Sequence, residues 1–323
     1  MLQNSANRSK TFSKGLAAGA DIVVENPPPG SLETHGLGYE TLKTINPGLI
    51  FTSVTPFGNQ GPYKDFKATD LVLYHMSGHA HGLLGAVEDP DSNPPIRAGG
   101  HQAELVGGMA AATATLMALY RKRMTGKGCR IDISSFEAMV NQLISGLASC
   151  AYGRPAPPRD AIEVEEAAAA GMVSAIGGIL PCNDGYVAIS PREDVQWERW
   201  LGIMDNPAWA ADDRYSTRDA RQKNSPSLWK LLSEWSSNYS KHEIARWGQE
   251  QRIPCFPVNT VLDLFNDDQL AHREFFVEIE HPVAGALKYP GAAYKFSNTE
   301  LPLTARPAPL LGEHNESILE KLE

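Results

Sequence analysis

One carboxylate stands in the most chemically suggestive stretch of the sequence. The glycine pairs Gly99-Gly100 and Gly107-Gly108 bracket a polar segment, residues 101–104 (HQAE), just ahead of an alanine-rich run. Backbone amides at a helix start stabilise nearby anions. A carboxylate there, Glu104, is a candidate nucleophile or base; the plainer alternative is a helix cap. His101 lies beside it with no partner that the sequence names. His79 and His81 fall within residues 77–85 (SGHAHGLLG). His81, like His35, His242, His272, His281 and His314, reads most simply as a surface histidine. Residues 55–63 (TPFGNQGPY) form a glycine- and proline-rich loop after a strand-like run. They are either a plain turn or a ligand loop beyond the end of a strand. The sequence has no zinc spacing, Walker loop, GxSxG elbow or GxGxxG fingerprint.

These residues need elements to hold them. Residues 21–25 (DIVVE) and 49–54 (LIFTSV) are strand-like and flank a helical segment at 38–45, which predicts a βαβ unit with parallel strands. A helix is expected from Thr69 to about Ser77. Another runs over residues 107–123, basic in its last turn and stopped by Gly126. Residues 130–134 (RIDIS) alternate as a strand. Ser134 and Glu137 have capping-box spacing ahead of an amphipathic helix carrying Phe136, Met139, Val140, Leu143, Ile144 and Leu147. Residues 85–95 read as a surface loop and 155–170 as a linker or mobile loop. A second region starts near residue 180, with a strand at 186–190 after an Asn-Asp-Gly turn. Helices are expected near 194–204, 227–235 and 241–251, a hairpin over 276–289 turning at Gly285, and a terminal helix over 313–322. The cluster Arg121, Lys122, Arg123, Lys127 and Arg130 reads as a solvated helix end.

The chain has 323 residues, enough for two domains. Apolar residues make up 42% and charged residues 21%, the ordinary globular mix. A net charge of −9 argues against nucleic-acid binding. The nearest candidate for a membrane span, residues 107–120, is short and ends in three basic residues. Four cysteines with no CxxC spacing read as thiols of a reducing compartment. With no secretory pattern near Arg8 and Lys10, the expected location is cytoplasmic.

Six ordered segments resemble the family III CoA-transferases (CaiB/BaiF family). They are residues 20–30 (ADIVVENPPPG), with 37–39 and 45–53 (INPGLIFTS); 55–63, like that family's glycine loop; 96–112, like "RVGxxxADxxxGxxAA"; 125–140 (TGKGCRIDISSFEAMV), like "TGxGQxVDVSLxEA"; 181–190; and 309–314 (PLLGEH). The resemblance implies an α/β fold: a doubly wound parallel-sheet large domain over residues 1–179, a smaller α+β domain over 180–292, and a return of 293–323 to the large domain. It also implies an interlinked dimer, as a homodimer or with a related subunit. Before residue 20 it thins to Asn7, Arg8 and Ser9, so the large domain is expected to be shortened at its N-terminus.

The implied activity moves coenzyme A from an acyl-CoA to a carboxylic acid through an enzyme-bound carboxylate thioester, with no metal. The family's aspartate falls on Glu104, the same group on a longer stem. Coenzyme A contacts are implied at Asn26, Phe57, Gly58, Gly61, Arg97, Gly99 and Gly100, with Lys64 and Lys67 as nearby cations. Pro28 stands where the family often has Arg or Lys. Two other readings follow from the same family. A 2-methylacyl-CoA racemase-like isomerase would pair His79 with Glu104 as acid and base. A non-catalytic subunit would retain binding alone.

Overall fold

The computed structural model describes residues 2–83, 87, 89–154, 178–191, 193–299 and 306–319; for 2–10 and 144–145 it describes backbone alone. The chain divides into two compact units, Met1–Ile162 with Ser317–Glu323, and Glu163–Glu316. Residues 293–299 and 306–316 group with the second unit, where the sequence reading assigns 293–323 to the first. The expected linker at 155–170 lies outside the described residues.

The first unit is built on three parallel strands, β1 (Ile22–Glu25), β2 (Ile50–Thr55) and β3 (Cys129–Ser134), in the order β1-β2-β3. Helix α1 (Leu2–Gly19) precedes them. Helices α2 (Ser31–Thr34) and α3 (Tyr39–Ile45) join β1 to β2. Helices α4 (Asp70–Met76), α5 (His79–Gly82) and α6 (Gln102–Thr125) join β2 to β3, and α7 (Ser135–Val140) and α8 (Ile144–Ala151) follow. Strand β2 is buried on both faces, as the central strand of a wound sheet must be. Leu49 and Phe51 pack with Ala17 of α1 and Leu42 of α3. Thr52, pointing the opposite way, bonds Thr115 of α6 through their hydroxyls at 2.7 Å.

Helix α6 approaches this sheet on its small residues. Ala103, Gly107, Ala111, Thr115 and Ala118 are buried at three- and four-residue spacing. A Cβ on Gly107 would lie 2.4 Å from Ser135 Oγ, so glycine sets how closely α6 meets α7. The helix is longer than the sequence reading of 107–123. At 24 residues it is, among the described residues, the one helix long and apolar enough to cross a membrane by length and composition alone. The apolar run of residues 107–120 lies within this longer helix. The buried stripe accounts for one side of α6. The other side carries Leu105, Met109, Leu116, Met117, Tyr120 and Met124, all exposed.

Two further expectations are corrected. The amphipathic helix after Ser134 is two helices. Ser134 does cap α7 by accepting the Glu137 N–H at 3.2 Å. Around Asn141 the chain then tightens to i→i−3 bonds (Gln142 to Met139, Leu143 to Val140) before α8; Val and Asn there are weak helix formers. The basic cluster is also not uniformly solvated. Lys122 is largely buried against Asp21 at 2.8 Å, and Arg130 reaches Glu33 at 3.8 Å.

The second unit pairs antiparallel strands β4 (Gly178–Cys182), β5 (Gly185–Ile189) and β6 (Cys255–Pro257). Helices Asp194–Ile203, Ser225–Ser236 and Lys241–Glu250 close a core around Trp200, Leu228, Leu232 and Ile244. Cys255 is buried there, and burial pushes its thiol up to about 12. Strands β7 (Phe276–His281) and β8 (Gly285–Pro290) form the expected hairpin, with Gly285 at φ 75°.

Candidate active site

The three parallel strands end on the same side, and a pocket of about 530 Å³ opens there. Glu25 and Asn26 line it from the end of β1, Thr55 from the end of β2, and Ser135 from the residue after β3. Thr69 and Asp70 contribute from the start of α4, Glu104 and Gly108 from the first turns of α6. This is where the carboxyl ends of an open parallel sheet place a ligand.

Glu104 is held in a specific way. The position before α6 is His101, whose side chain gives no capping bond. The missing cap comes from elsewhere in the sequence. Asp70 Oδ1 accepts the N–H of Ala103 at 2.7 Å and that of Glu104 at 3.4 Å. Its other oxygen accepts from Arg97 at 3.2 Å. Asp70 is buried, so this paired carboxylate occupies the anion position that the first turn offers. The Glu104 side chain is exposed, 3.0 Å from His101 Nδ1. The sequence named Glu104 and Arg97 but missed Asp70, because its partners lie 27 and 33 residues away.

The pocket's third carboxyl has another environment. Glu25 is 9% exposed and bonded to the Ser53 hydroxyl; burial raises its carboxyl above the usual range, and Ser53 pulls it partly back. Ser53 accepts from Asn59 Nδ2 at 3.0 Å, and Asn59 also donates its backbone N–H to Asp132 at 3.0 Å. Asp132 thereby ties the 55–63 loop to β3. A second pocket, about 510 Å³, lies along this tie, lined among others by Gly30, Glu33, Asn59, Lys64, Arg130 and Asp132.

The expected residues divide accordingly. Asn26 and Glu104 share the first pocket, and Arg97 borders it through Asp70. Gly58 and Gly61 have φ of 84° and 91°, which shape the loop. Phe57 packs edge-on against Tyr63 and Phe136 rather than lining either pocket. Gly99 and Gly100 lie outside both pockets. Gly99 accepts from Gln102 Nε2 at 2.8 Å, and Gly100 turns at φ 79°. His79 is not in the pocket of Glu104: its Nε2 bonds the Met139 carbonyl at 2.9 Å and its ring lies against Tyr74. Lys64 borders the second pocket and Lys67 neither. Among the described residues no group of three or more His, Cys, Asp or Glu is placed to hold a metal.

A parallel sheet wound by helices, with a carboxylate at its carboxyl edge, defines a class of α/β enzyme sites, and the comparisons give the family. The model of CoA-transferase family III matches residues 4–315, so the chain belongs to that family, whose members move coenzyme A from an acyl-CoA to a carboxylic acid. It is 31% identical over 317 residues to human (Homo sapiens) succinyl-CoA:glutarate CoA-transferase, covering 96% of this chain and 68% of that protein. It is 33% identical over 330 residues to the BbsE subunit of succinyl-CoA:(R)-benzylsuccinate CoA-transferase from Thauera aromatica, covering 98% and 76%. A CAIB/BAIF family protein from Brucella suis has the same fold, with a TM-score of 0.83 and 29% identity over 98% of this chain and 79% of that one.

Proposed function

We propose that Glu104 is the nucleophile of this CoA-transferase. Its carboxylate attacks the thioester carbonyl of an acyl-CoA. A carbon–oxygen bond forms, the carbon–sulfur bond breaks, and coenzyme A leaves as the thiolate. The thiolate then attacks the Glu104 carbonyl of the mixed anhydride, releasing the first acid as carboxylate and leaving a Glu104–CoA thioester. The acceptor acid runs the same two steps in reverse. The observation that carries this reading is the placement of Glu104 in the first turn of α6, in the pocket at the sheet's carboxyl edge.

The geometry changes one detail of the chemistry. The amides of residues 103 and 104 are taken by Asp70, so they do not hold the carbonyl oxygen. Asn26, Thr55, Thr69 and Ser135 are the neutral hydrogen-bonding side chains of the pocket and take that task; the buried Thr55 hydroxyl has no other partner among the described residues. In the second pocket Lys64 and Arg130 are the cations for the phosphates of coenzyme A, and they must leave Asp65 and Glu33 to take them, because the lining also holds Asp132 and is not positive overall. The exposed apolar face of α6 is where a second subunit, a copy or a relative, packs.

The test is an adduct. Incubated with succinyl-CoA, the protein is expected to gain the mass of coenzyme A at Glu104, removable by hydroxylamine. Glu104→Gln keeps the shape and is expected to lose both adduct and turnover. An adduct on another carboxylate, or full turnover in Glu104→Gln, overturns the assignment. Absence of any adduct in the folded wild-type protein supports the non-catalytic subunit instead.

A further inference from the structure

The pocket holds three carboxyl groups in three environments. Asp70 is committed to Arg97 and to the first-turn amides of α6. Glu104 is exposed and sits against His101. Glu25 is buried, and its hydrogen-bond partner is a neutral hydroxyl. Ser53 accepts from Asn59 at 3.0 Å, and its hydrogen bond to Glu25 lowers that carboxyl, as a hydroxyl that donates to the charged form does. Glu25 lines the same pocket as Asp70 and Glu104. Carboxyls in one pocket with environments this different commonly take different roles.

We propose that Glu25 is a second catalytic carboxyl of the transfer site: in its acid form it donates a hydrogen bond to the substrate carboxylate as that group leaves, or arrives at, the Glu104 carbonyl. This rests on Glu104 being the nucleophile. When the thiolate attacks the mixed anhydride, the new carbon–sulfur bond forms and the carbon–oxygen bond to the first acid breaks. The negative charge moves onto that acid's oxygen. Glu25 donates its hydrogen bond there, and its proton returns to it as the acid departs, so no net proton is consumed. In the second half the same bond orients the arriving carboxylate. Burial favours the acid form of Glu25, as does the charge of Glu33 from α2; Arg130 from β3 and the Ser53 hydroxyl oppose it.

The sign of the pH dependence follows. Activity is present while Glu25 holds its proton and falls as pH rises through its midpoint. For the wild type with succinyl-CoA and glutarate, kcat is expected to decline on the alkaline side, with a midpoint above that of an ordinary glutamate, about 4.3. Glu25→Gln keeps a donor without titrating; its kcat is expected to drop severalfold and to lose that decline. Glu25→Ala is expected to cost about 100-fold in kcat, with KM for acyl-CoA within about twofold. Ser53→Ala removes the hydroxyl that holds the midpoint down, so the decline is expected to move to higher pH. Wild-type kcat in Glu25→Ala, or an unchanged decline in Glu25→Gln, overturns the proposal. A readout independent of turnover is the Glu25 carboxyl resonance by carbon-13 NMR, identified by its loss in Glu25→Gln. A midpoint at or below about 4.3 overturns the role of Glu25 even if Glu104 forms its adduct. A raised midpoint with no adduct instead places the failure at Glu104, and the proposal falls with it.

Discussion

At the scale of single residues, the site turns on how a carboxylate is held at a helix start that has no local cap. Asp70 does this from another helix, and Arg97 balances its charge. Asp70→Asn keeps an oxygen for the amides but removes the charge and strands Arg97. The expected result is a stability loss of about 1–3 kcal/mol, typical of a charged hydrogen bond. With the first turn loosened, kcat is expected to fall about 100-fold, as a misplacement near 1 Å costs, while KM for acyl-CoA holds. Arg97→Ala separates two roles for that arginine. A rise in KM with kcat intact marks a coenzyme A contact; a fall in stability and kcat marks the pair with Asp70. The sequence made Glu104 legible because glycines and an alanine run are local signals. Asp70 and the Ser53–Asn59–Asp132 tie were not legible, since each joins segments brought together by the parallel sheet and no spacing rule spans that distance.

At the scale of elements, periodicity carried most of the reading. The strands 21–25, 49–54 and 130–134 emerge within a residue of their expected bounds, and the Asn-Asp-Gly and Gly285 turns sit where their residue types place them. The differences have separate causes: α6 starts five residues before its expected bound because its cap is non-local, and α1 has no clear sequence signal because its 18 residues are polar and weakly patterned. What sequence could not show is how closely α6 packs. Gly107→Ala puts a Cβ 2.4 Å from Ser135 Oγ and 3.1 Å from its Cβ. Overpacking of this kind costs about 1–3 kcal/mol, against a gain of up to about 1 kcal/mol in helix propensity. Net destabilisation by urea unfolding is therefore expected, with recovery in Gly107→Ala combined with Ser135→Gly. An unchanged midpoint in the single variant would show that α6 is free to shift, and Glu104 with it.

At the scale of the whole molecule, the face of α6 turned away from the sheet has to be explained. Leu105, Met109, Leu116, Met117, Tyr120 and Met124 recur at helical spacing, and each is more than 60% exposed. Contiguous apolar surface of this extent on a folded protein marks an interaction site. Light scattering is therefore expected to give at least twice the 35.1 kDa of one chain if a copy suffices. Because the driving force is apolar burial, the assembly should survive high salt, which would dissolve a charge-driven contact. Met117→Glu with Tyr120→Glu places two charges in the middle of the stripe, away from the α6 residues that touch the sheet. That variant is expected to run as a monomer with unchanged helix content. A wild-type protein that is monomeric at every concentration and does not aggregate would mean that the stripe needs a different subunit. In that case co-expression with a second family member, not a higher concentration of this chain, should shift the mass.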